Sequence, residues 1–253
     1  MSRTIDVRQE RIKRHGFSGR FVHWTVALST VVLVISGLGQ LPLFKRYFVD
    51  TLPGLGWTSD FGVTLQLHYF AAAALTLAVV YHVIFHSLRR EFDIVPRRGD
   101  LKESYQIIKA MFGRGEEPDS DKYLAEQRVA YAFIGGAILL VIATGYLKAV
   151  KNLPGVELPY WLLWTTTTLH NLAMFLIILG IGGHLAAFLI KENRALLPGM
   201  FTGRVSLAYA RERHCLWCEG LGLSGRSGSA SDADAGGLEG GAAGGAAMAS
   251  LEP

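Results

Sequence analysis

The clearest indication of the fold class is residues 160–190, YWLLWTTTTLHNLAMFLIILGIGGHLAAFLI. It contains no lysine, arginine, aspartate or glutamate, and it is longer than the roughly 20 apolar residues that an α-helix needs to cross a bilayer. A transmembrane β-strand would be about half as long and would alternate between polar and apolar residues. Because backbone groups in lipid must pair within their own segment, the stretch predicts a transmembrane helix.

Three further stretches have the same character, at about residues 21–41, 61–88 and 129–150. Hydrophobic residues make up 50% of the chain, more than one soluble core of this size normally holds. The net charge of +4 is not accompanied by an aromatic-interleaved basic surface of the kind that binds nucleic acid. The sequence therefore predicts an all-α integral membrane protein, a four-helix bundle over residues 1–219.

The distribution of basic residues predicts the orientation of this bundle. Residues 1–20, 89–128 and 191–253 hold six, nine and six lysines and arginines, whereas the two other connections hold four in total. Basic residues accumulate in cytoplasmic loops, so both termini are expected in the cytoplasm. The opposite side carries the aromatic residues of a membrane interface, namely Tyr47, Trp57, Tyr146, Tyr160, Trp161 and Trp164.

Three segments outside the spans have recognisable character. Residues 1–16 lack an early apolar core and a cleavage site, so they are not expected to be a cleaved signal peptide. Residues 100–112, DLKESYQIIKAMF, predict a short amphipathic helix on the inner membrane surface. Residues 220–253 are mostly Gly, Ala, Ser and Asp, which predicts a disordered tail.

The two cysteines, Cys215 and Cys218, both follow the last span, which excludes a disulfide framework. Together with His214 they have the spacing of metal ligands, but a closed zinc site requires four ligands. We favour incidental, reduced thiols over a metal site that a partner subunit would complete.

The histidines are the candidates for chemistry. Of eight in the chain, five lie within or at the edge of the apolar spans: His23, His68, His82, His170 and His184. Ionisable groups at membrane depth are costly, and by default they indicate a functional site. The alternative for any single one is a structural hydrogen bond to a neighbouring helix.

The spacing of these histidines narrows the chemistry. His170 and His184 are 14 residues apart, nearly four helical turns, so they share one face and are separated by about 21 Å along the helix. Two stacked metal centres require such an arrangement. Haem iron takes axial ligands from opposite sides, so each histidine needs a partner on another helix. Depth pairs His184 with His23 near the inner surface and His170 with His68 near the outer surface.

One alternative pairing stays open on spacing alone. His82 follows His68 by 14 residues and lies at the inner depth, so it competes with His23 as the partner of His184. Glycines inside the spans, among them Gly37 and Gly145, are compatible both with a planar cofactor and with ordinary helix packing.

Several motifs resemble the cytochrome b (gamma) subunit of respiratory, membrane-bound formate dehydrogenase. They are RFVHWTVALSTVVLVISG at residues 20–37, LQLHYF at 65–70, KYLAEQR at 122–128, ATGY at 143–146, LHNLAMFLIILGIGGHLAAF at 169–188 and GMFTGRVSLAYARERH at 199–214. The resemblance covers most of the chain, and it implies that His23 with His184 hold an inner haem b and His68 with His170 an outer one.

The same resemblance implies a menaquinone or ubiquinone site beside the inner haem, contacted by the KYLAEQR segment. Gln127 matches the family there, whereas Leu124 replaces an asparagine and Glu126 replaces a glycine. These departures leave Glu126 and His82 as candidate proton donors near the quinone. The alternative for Glu126 is an exposed ion pair with Lys122 or Arg128.

The resemblance implies a function in which the chain is not itself catalytic toward formate. The chain would be the membrane anchor that carries electrons from an iron–sulfur subunit to quinone, in a complex with a molybdenum or tungsten formate dehydrogenase subunit, in the bacterial inner membrane. Two alternatives are the same anchor serving a hydrogenase or a thiosulfate-type reductase, and a proton-relay transporter that binds no haem.

Overall fold

Four long helices form the body of the protein, as the sequence predicts. The computed structural model describes residues 5–6, 10–111 and 113–223. The helices are α1 (Phe17–Gln40), α3 (Phe61–Arg89), α5 (Ala125–Val150) and α6 (Tyr160–Ala186), and each is long and apolar enough to span a bilayer. A short helix α2 (Leu43–Arg46) lies between the first two. The protein is therefore a multi-pass membrane protein.

Helices α1 and α5 begin four residues earlier than the apolar stretches from which they were predicted. Helical hydrogen bonding continues past the hydrocarbon as long as the first turn has partners for its N–H groups. In α5 the Gln127 side chain accepts from the backbone N–H of Leu124 at 3.4 Å. In α3 the Asp60 carboxylate caps the helix by accepting from the N–H of Val63 at 3.0 Å.

The four helices form two pairs, α1 with α3 and α5 with α6. Within the second pair, a Cβ at Gly180 would come within 2.8 Å of the Ile134 side chain, so glycine is what permits this close approach. A hydrophobic cluster centred on Leu75, Ala137, Ile138 and Ile177 joins the two pairs at mid-height. The histidines within the bundle lie on either side of this core, towards its two ends.

Large apolar side chains cover the outside of the bundle. Phe70, Leu77, Phe175 and Leu179 are each more than 60% exposed. A water-soluble domain rarely presents so much contiguous apolar surface, whereas lipid solvates it without cost.

The amphipathic helix predicted for residues 100–112 is confirmed as α4 (Asp100–Met111). Its Ile107 is fully buried against Leu124 and Ala125 at the start of α5. The carboxylate of Asp100 accepts two hydrogen bonds from the Arg128 guanidinium, at 2.7 and 2.8 Å. Helix α4 is thus attached to the bundle by an apolar contact and a buried ion pair, rather than lying free on a membrane surface.

A small sheet, which the sequence did not predict, joins the segments before α1 and after α6. Its strands are β1 (Ile5–Asp6), β2 (Arg11–Lys13) and β3 (Arg204–Ser206), paired antiparallel in that order. Ile12 of β2 and Val205 of β3 are buried in one core with Leu207, Ala210 and Cys218. Three residues are too few for a strand to show its alternation in the sequence.

Three short helices flank strand β3: α7 (Leu197–Thr202) precedes it, and α8 (Leu207–Arg213) and α9 (Cys215–Gly220) follow it. The end of the bundle that carries these segments and α4 is called the terminal end below. The predicted disordered tail overlaps with ordered residues up to Leu223, whose N–H donates to the carbonyl of Cys218 at 2.8 Å. From residue 224 the predicted tail lies outside the described part of the chain.

Candidate functional site

Two pairs of histidines lie between the helix pairs, and within each pair the two imidazole rings face each other. At the end opposite the terminal end, the rings of His68 (α3) and His170 (α6) have centroids 6.3 Å apart. At the terminal end, the rings of His23 (α1) and His184 (α6) have centroids 6.4 Å apart. The rings are inclined at 54° in both pairs.

In the first pair, hydroxyl groups on neighbouring helices orient both rings. Nδ1 of His68 lies 2.9 Å from Oγ of Ser36, and Nδ1 of His170 lies 3.0 Å from Oγ1 of Thr144. Each hydroxyl donates its one proton to a carbonyl of its own helix, Ser36 to Val32 and Thr144 to Leu140, both at 2.7 Å. Each hydroxyl oxygen is therefore left to accept from the histidine.

This hydrogen bonding decides which ring nitrogen is free. A neutral imidazole carries one N–H, so donation from Nδ1 leaves an unprotonated lone pair on Nε2. A histidine held in this way is prepared to coordinate a metal through Nε2. Both histidines of the pair have the same arrangement.

Glycine provides the room for these rings. A Cβ at Gly37 would lie 3.6 Å from Cε1 of His68, and a Cβ at Gly145 would lie 3.4 Å from Cε1 of His170. An alanine Cβ at Gly145 would therefore already be in van der Waals contact with the ring. The sequence was compatible with these glycines making room for a planar cofactor or for helix packing. In the structure, the neighbour of each glycine is the ring of a histidine.

The pair at the terminal end is held by aromatic rings. Trp24 lies edge-on to His23 at 5.3 Å, and its indole N–H donates to the carbonyl of Met200 at 3.2 Å. Phe188 lies edge-on to His184 at 5.7 Å. Nδ1 of His23 is buried without a hydrogen-bond partner in the described structure.

The separations within each pair fit one metal ion between two imidazoles. Histidine nitrogen binds metals at about 2.0–2.1 Å and lies about 1.1 Å from its ring centroid, so an ion between two rings separates their centroids by about 6.3 Å. Within the described residues, no group of three or more His, Cys, Asp or Glu side chains could hold a metal. Any further ligands must come with the bound group, as they do when a macrocycle supplies them.

His82 lies at the depth of the terminal-end pair but faces elsewhere. Its Nε2 is 3.0 Å from the hydroxyl of Tyr131 on α5, and its ring centroid is 4.5 Å from that of His86. The ring that faces His184 across the gap is that of His23.

The KYLAEQR segment lies at the same end. The amide oxygen of Gln127 accepts from Arg14 Nη2 at 3.3 Å as well as from the Leu124 N–H. Oε2 of Glu126 is buried and has no hydrogen-bond partner. Arg128 pairs with Asp100 and Glu103, so the ion pair between Glu126 and Arg128 that the sequence left open does not form.

Arg14 is a buried residue that sequence reasoning missed. It is 4% exposed, it lies over the rings of Tyr123 and Trp217 at 5.4 and 5.7 Å, and Nη1 has no hydrogen-bond partner in the described structure. Desolvation by burial lowers the pKa of its guanidinium. A sequence signal was absent because Arg14 stands in a run of basic residues that reads as a solvated, cytoplasmic flank.

The cysteine motif packs against the same region. Cys218 is part of the buried core beneath the sheet, and Cys215 Sγ donates to Asp119 Oδ1 at 3.3 Å. Nδ1 of His214 donates to the carbonyl of Asp121 at 2.8 Å, and burial lowers the pKa of His214 to about 4. Burial also raises the pKa of both thiols, which suits packing better than metal binding.

Paired, pre-oriented histidines in a membrane four-helix bundle are the arrangement of a b-type cytochrome. The sequence profile of the family described as prokaryotic cytochrome b561 matches residues 14–203, and the chain belongs to this family. Membership implies haem b. The two ends of the matched region meet in space, because the N–H of Arg14 donates to the carbonyl of Gly203 at 2.9 Å.

Individual relatives agree with this assignment. The chain is 26% identical over 216 residues to the cytochrome b556(Fdn) subunit of nitrate-inducible formate dehydrogenase of Escherichia coli (strain K12), covering 83% of this chain and 91% of that protein. The corresponding subunit of Shigella flexneri matches equally well. A putative protein-methionine-sulfoxide reductase subunit, YedZ1, of Azospira oryzae is 26% identical over 133 residues, 50% of this chain and 64% of that protein.

Proposed function

We propose that the protein binds two b haems, one between His68 and His170 and one between His23 and His184. The observation that carries this proposal is the separation of the ring centroids, 6.3 and 6.4 Å, at two levels of one bundle. When bound, haem b supplies one-electron transfer. His82, which hydrogen-bonds to Tyr131, is not assigned as a ligand in this proposal.

The protein residues hold the ligands ready before the cofactor binds. Ser36 and Thr144 keep the Nε2 lone pairs of His68 and His170 directed across the gap. Gly37 and Gly145 leave space beside the two rings. At the other pair, Trp24 and Phe188 pack edge-on against the rings of His23 and His184 and hold them in place. The cluster around Leu75 and Ile177 excludes water between the two levels.

We further propose that the terminal end faces the cytoplasm and that the membrane is the bacterial inner membrane. The distribution of lysine and arginine supports this orientation. His23 and His184 then hold the inner haem, and His68 and His170 the outer one. Electrons would pass between levels about 21 Å apart along α6.

We place quinone reduction at the cytoplasmic side, beside the inner haem. Gln127, the buried carboxylate of Glu126 and the imidazole of His82 all lie at this end of the bundle. Oε2 of Glu126 is buried without a hydrogen-bond partner, which suits a group that exchanges protons with a bound molecule. The quinone is a menaquinone or a ubiquinone.

We propose that the chain is the membrane subunit of a formate dehydrogenase. Its relatives in Escherichia coli and Shigella flexneri are named as subunits of such an enzyme, and the match covers 91% of their length. An iron–sulfur subunit would deliver electrons to the outer haem, and a molybdenum or tungsten subunit would oxidise formate. The same anchor in a hydrogenase or a thiosulfate-type reductase is the second candidate, and the partial match to a subunit named for a different reductase shows that related chains serve more than one enzyme.

The test is the reduced-minus-oxidised optical spectrum of the purified protein together with its haem content. We expect two haems per chain, about half of which are lost in His170→Ala, because each haem needs two axial ligands. His82→Ala is the matched control, since it removes a histidine at membrane depth that is not an assigned ligand. A colourless protein would indicate a proton-relay transporter. Two haems surviving in His170→Ala would refute the ligand assignment.

The identity of the complex needs a separate measurement. Mild detergent extraction followed by mass spectrometry of the co-purifying subunits should recover an iron–sulfur protein and a molybdenum or tungsten formate dehydrogenase. Recovery of a nickel–iron hydrogenase or another reductase in their place would favour the second candidate.

A further inference from the structure

A series of four ionisable side chains runs from Tyr131 on α5, which is 37% exposed, to the surface of the terminal end. The hydroxyl of Tyr131 lies 3.0 Å from Nε2 of His82. The ring of His82 lies 4.5 Å, centroid to centroid, from that of His86. Nδ1 of His86 lies 3.2 Å from Oε2 of Glu91, whose side chain is 42% exposed. No contact in this series involves either of the facing histidine pairs.

We propose that Glu91, His86, His82 and Tyr131 form a proton path between the cytoplasmic solution and the quinone site. This inference rests on the proposed function, because it assigns the route by which quinone receives its protons.

Each member of the series has the chemistry that proton transfer requires. A carboxylate and a phenol each bind and release a proton at oxygen, and an imidazole accepts at one nitrogen while it releases from the other. His82 and His86 are four residues apart on α3, so their rings lie one above the other on the same helix face. Nδ1 of His82 is buried and has no hydrogen-bond partner in the described structure, so no other protein group holds it.

The outer end of the path is open to solution. Glu91 binds Arg89 Nε through Oε1 at 2.7 Å and faces His86 with its other oxygen, Oε2. The hydrogen bond from Arg89 lowers the pKa of Glu91, so at neutral pH the carboxylate is ionised and can accept a hydrogen bond from the imidazolium or neutral N–H of His86. Lys122, Asp93 and Tyr123 lie close enough to add to the charge around Glu91.

The inner end of the path reaches the residue that the family resemblance associates with quinone. Tyr131 is four residues after Gln127, so both side chains project from the same face of α5. Tyr131 and His23 each lie six residues into helices that start at the terminal end, and they share a depth of about 9 Å along the helix. A purely structural hydrogen bond would account for Tyr131 and His82, but not for the extension through His86 to an exposed carboxylate.

The protons that the path delivers match those that the proposed reaction consumes. One quinone takes up two electrons, supplied by two equivalents of reduced inner haem that become oxidised, and two protons, which form an O–H bond at each quinone oxygen. In the reverse direction, a quinol loses two protons through Tyr131 while two equivalents of haem are reduced. The reverse reaction is the easier one to measure.

The experiment follows haem reduction by menadiol in the purified, haem-loaded protein by stopped-flow spectroscopy, in H₂O and in D₂O. We expect Tyr131→Phe and His82→Gln to slow reduction about 10- to 100-fold at unchanged haem content, as expected for the loss of a proton-transfer group. His86→Ala should slow it similarly and regain the rate when imidazole is added. Tyr146→Phe, at the other end of α5, is the matched control and should keep the wild-type rate.

A second measurement does not depend on turnover. Infrared difference spectra of protein labelled in the histidine rings should show a change of ring protonation when menadiol is added, and this signal should disappear in His82→Gln. A structural hydrogen bond alone would give no such signal.

The outcomes separate this inference from the function on which it rests. A wild-type protein without haem, or with haem that menadiol does not reduce, would refute the proposed function and the path with it. A wild-type protein that menadiol reduces, with variants that keep its rate, would refute the path only. Should Tyr131→Phe or His82→Gln lose haem, His86→Ala decides, because imidazole rescue supports the path and its absence contradicts it.

Discussion

Gly145 offers a direct test of how closely the outer haem site is built. A Cβ at this position would lie 3.4 Å from Cε1 of His170, which is ordinary van der Waals contact. Alanine is therefore tolerated. The γ-carbons of valine extend about 1.5 Å further, so in an unfavourable direction they would approach the ring to about 2 Å. The ring must then move, whereas a bond from its nitrogen to a metal tolerates deviations of only about 0.2 Å.

We therefore expect Gly145→Val to lose the outer haem and to keep the inner one. Haem per protein would fall from two to one, and redox titration would show one component instead of two. Gly145→Ala is the matched control. It should keep both haems, and α5 should gain about 0.5–1 kcal/mol because alanine favours helix over glycine. A Gly145→Val protein that keeps two haems with unchanged midpoint potentials would refute the reasoning.

Two further predictions follow from single contacts. Thr144→Val removes the acceptor for Nδ1 of His170, so the ligand becomes less basic, outer-haem affinity falls about 10- to 100-fold and the midpoint potential of that haem rises. Redox titration measures this change, and Thr76→Val, whose hydroxyl bonds only the carbonyl of Ala72, should leave both potentials unchanged. Asp100→Asn removes the charge that pairs with the buried Arg128 at 2.7 Å and leaves the longer contact with Glu103 at 3.7 Å, so it should loosen α4 at a cost of about 1.5–3 kcal/mol, seen as faster hydrogen exchange in α4. In the wild type, hydrogen bonds from Arg128 lower the pKa of Asp100. The ion pair therefore stabilises the fold fully above about pH 4, the pKa of an aspartate in the unfolded chain. This stabilisation is lost as the pH falls through the lower pKa that Asp100 has in the folded protein. Exchange in α4 that does not change with either the substitution or acid would contradict the assignment.

The four transmembrane helices, and the shared helix face of His170 and His184, could be predicted from the sequence because both depend on short-range rules. A helix in lipid satisfies its backbone internally, so an apolar stretch of sufficient length is enough to predict it. A repeat of 14 residues places two side chains on one face whatever the neighbouring helices do. The four spans and the cytochrome b family are confirmed, and the ligand pairs stay a prediction that the ring separations support.

Other features depend on contacts between segments that are far apart in the chain. Arg14 looked like one more solvated basic residue, but the fold places its guanidinium over the rings of Tyr123, from the inner loop, and Trp217, from α9. Arg128 looked like a partner for Glu126, but the fold brings Asp100 to it across the inner loop. His82 could not be separated from His23 by depth, because both lie at the same level, and only the rotation of α3 directs His82 to Tyr131.

Four membrane crossings and imidazoles at two depths could be predicted from the amino-acid sequence alone, since hydrophobic length and helical period are local quantities. The tertiary structure was needed to show which rings face each other, which nitrogen His68 and His170 leave free, and which histidine points to a tyrosine instead. These depend on the rotation of each helix about its axis, which the packing of all four helices sets together.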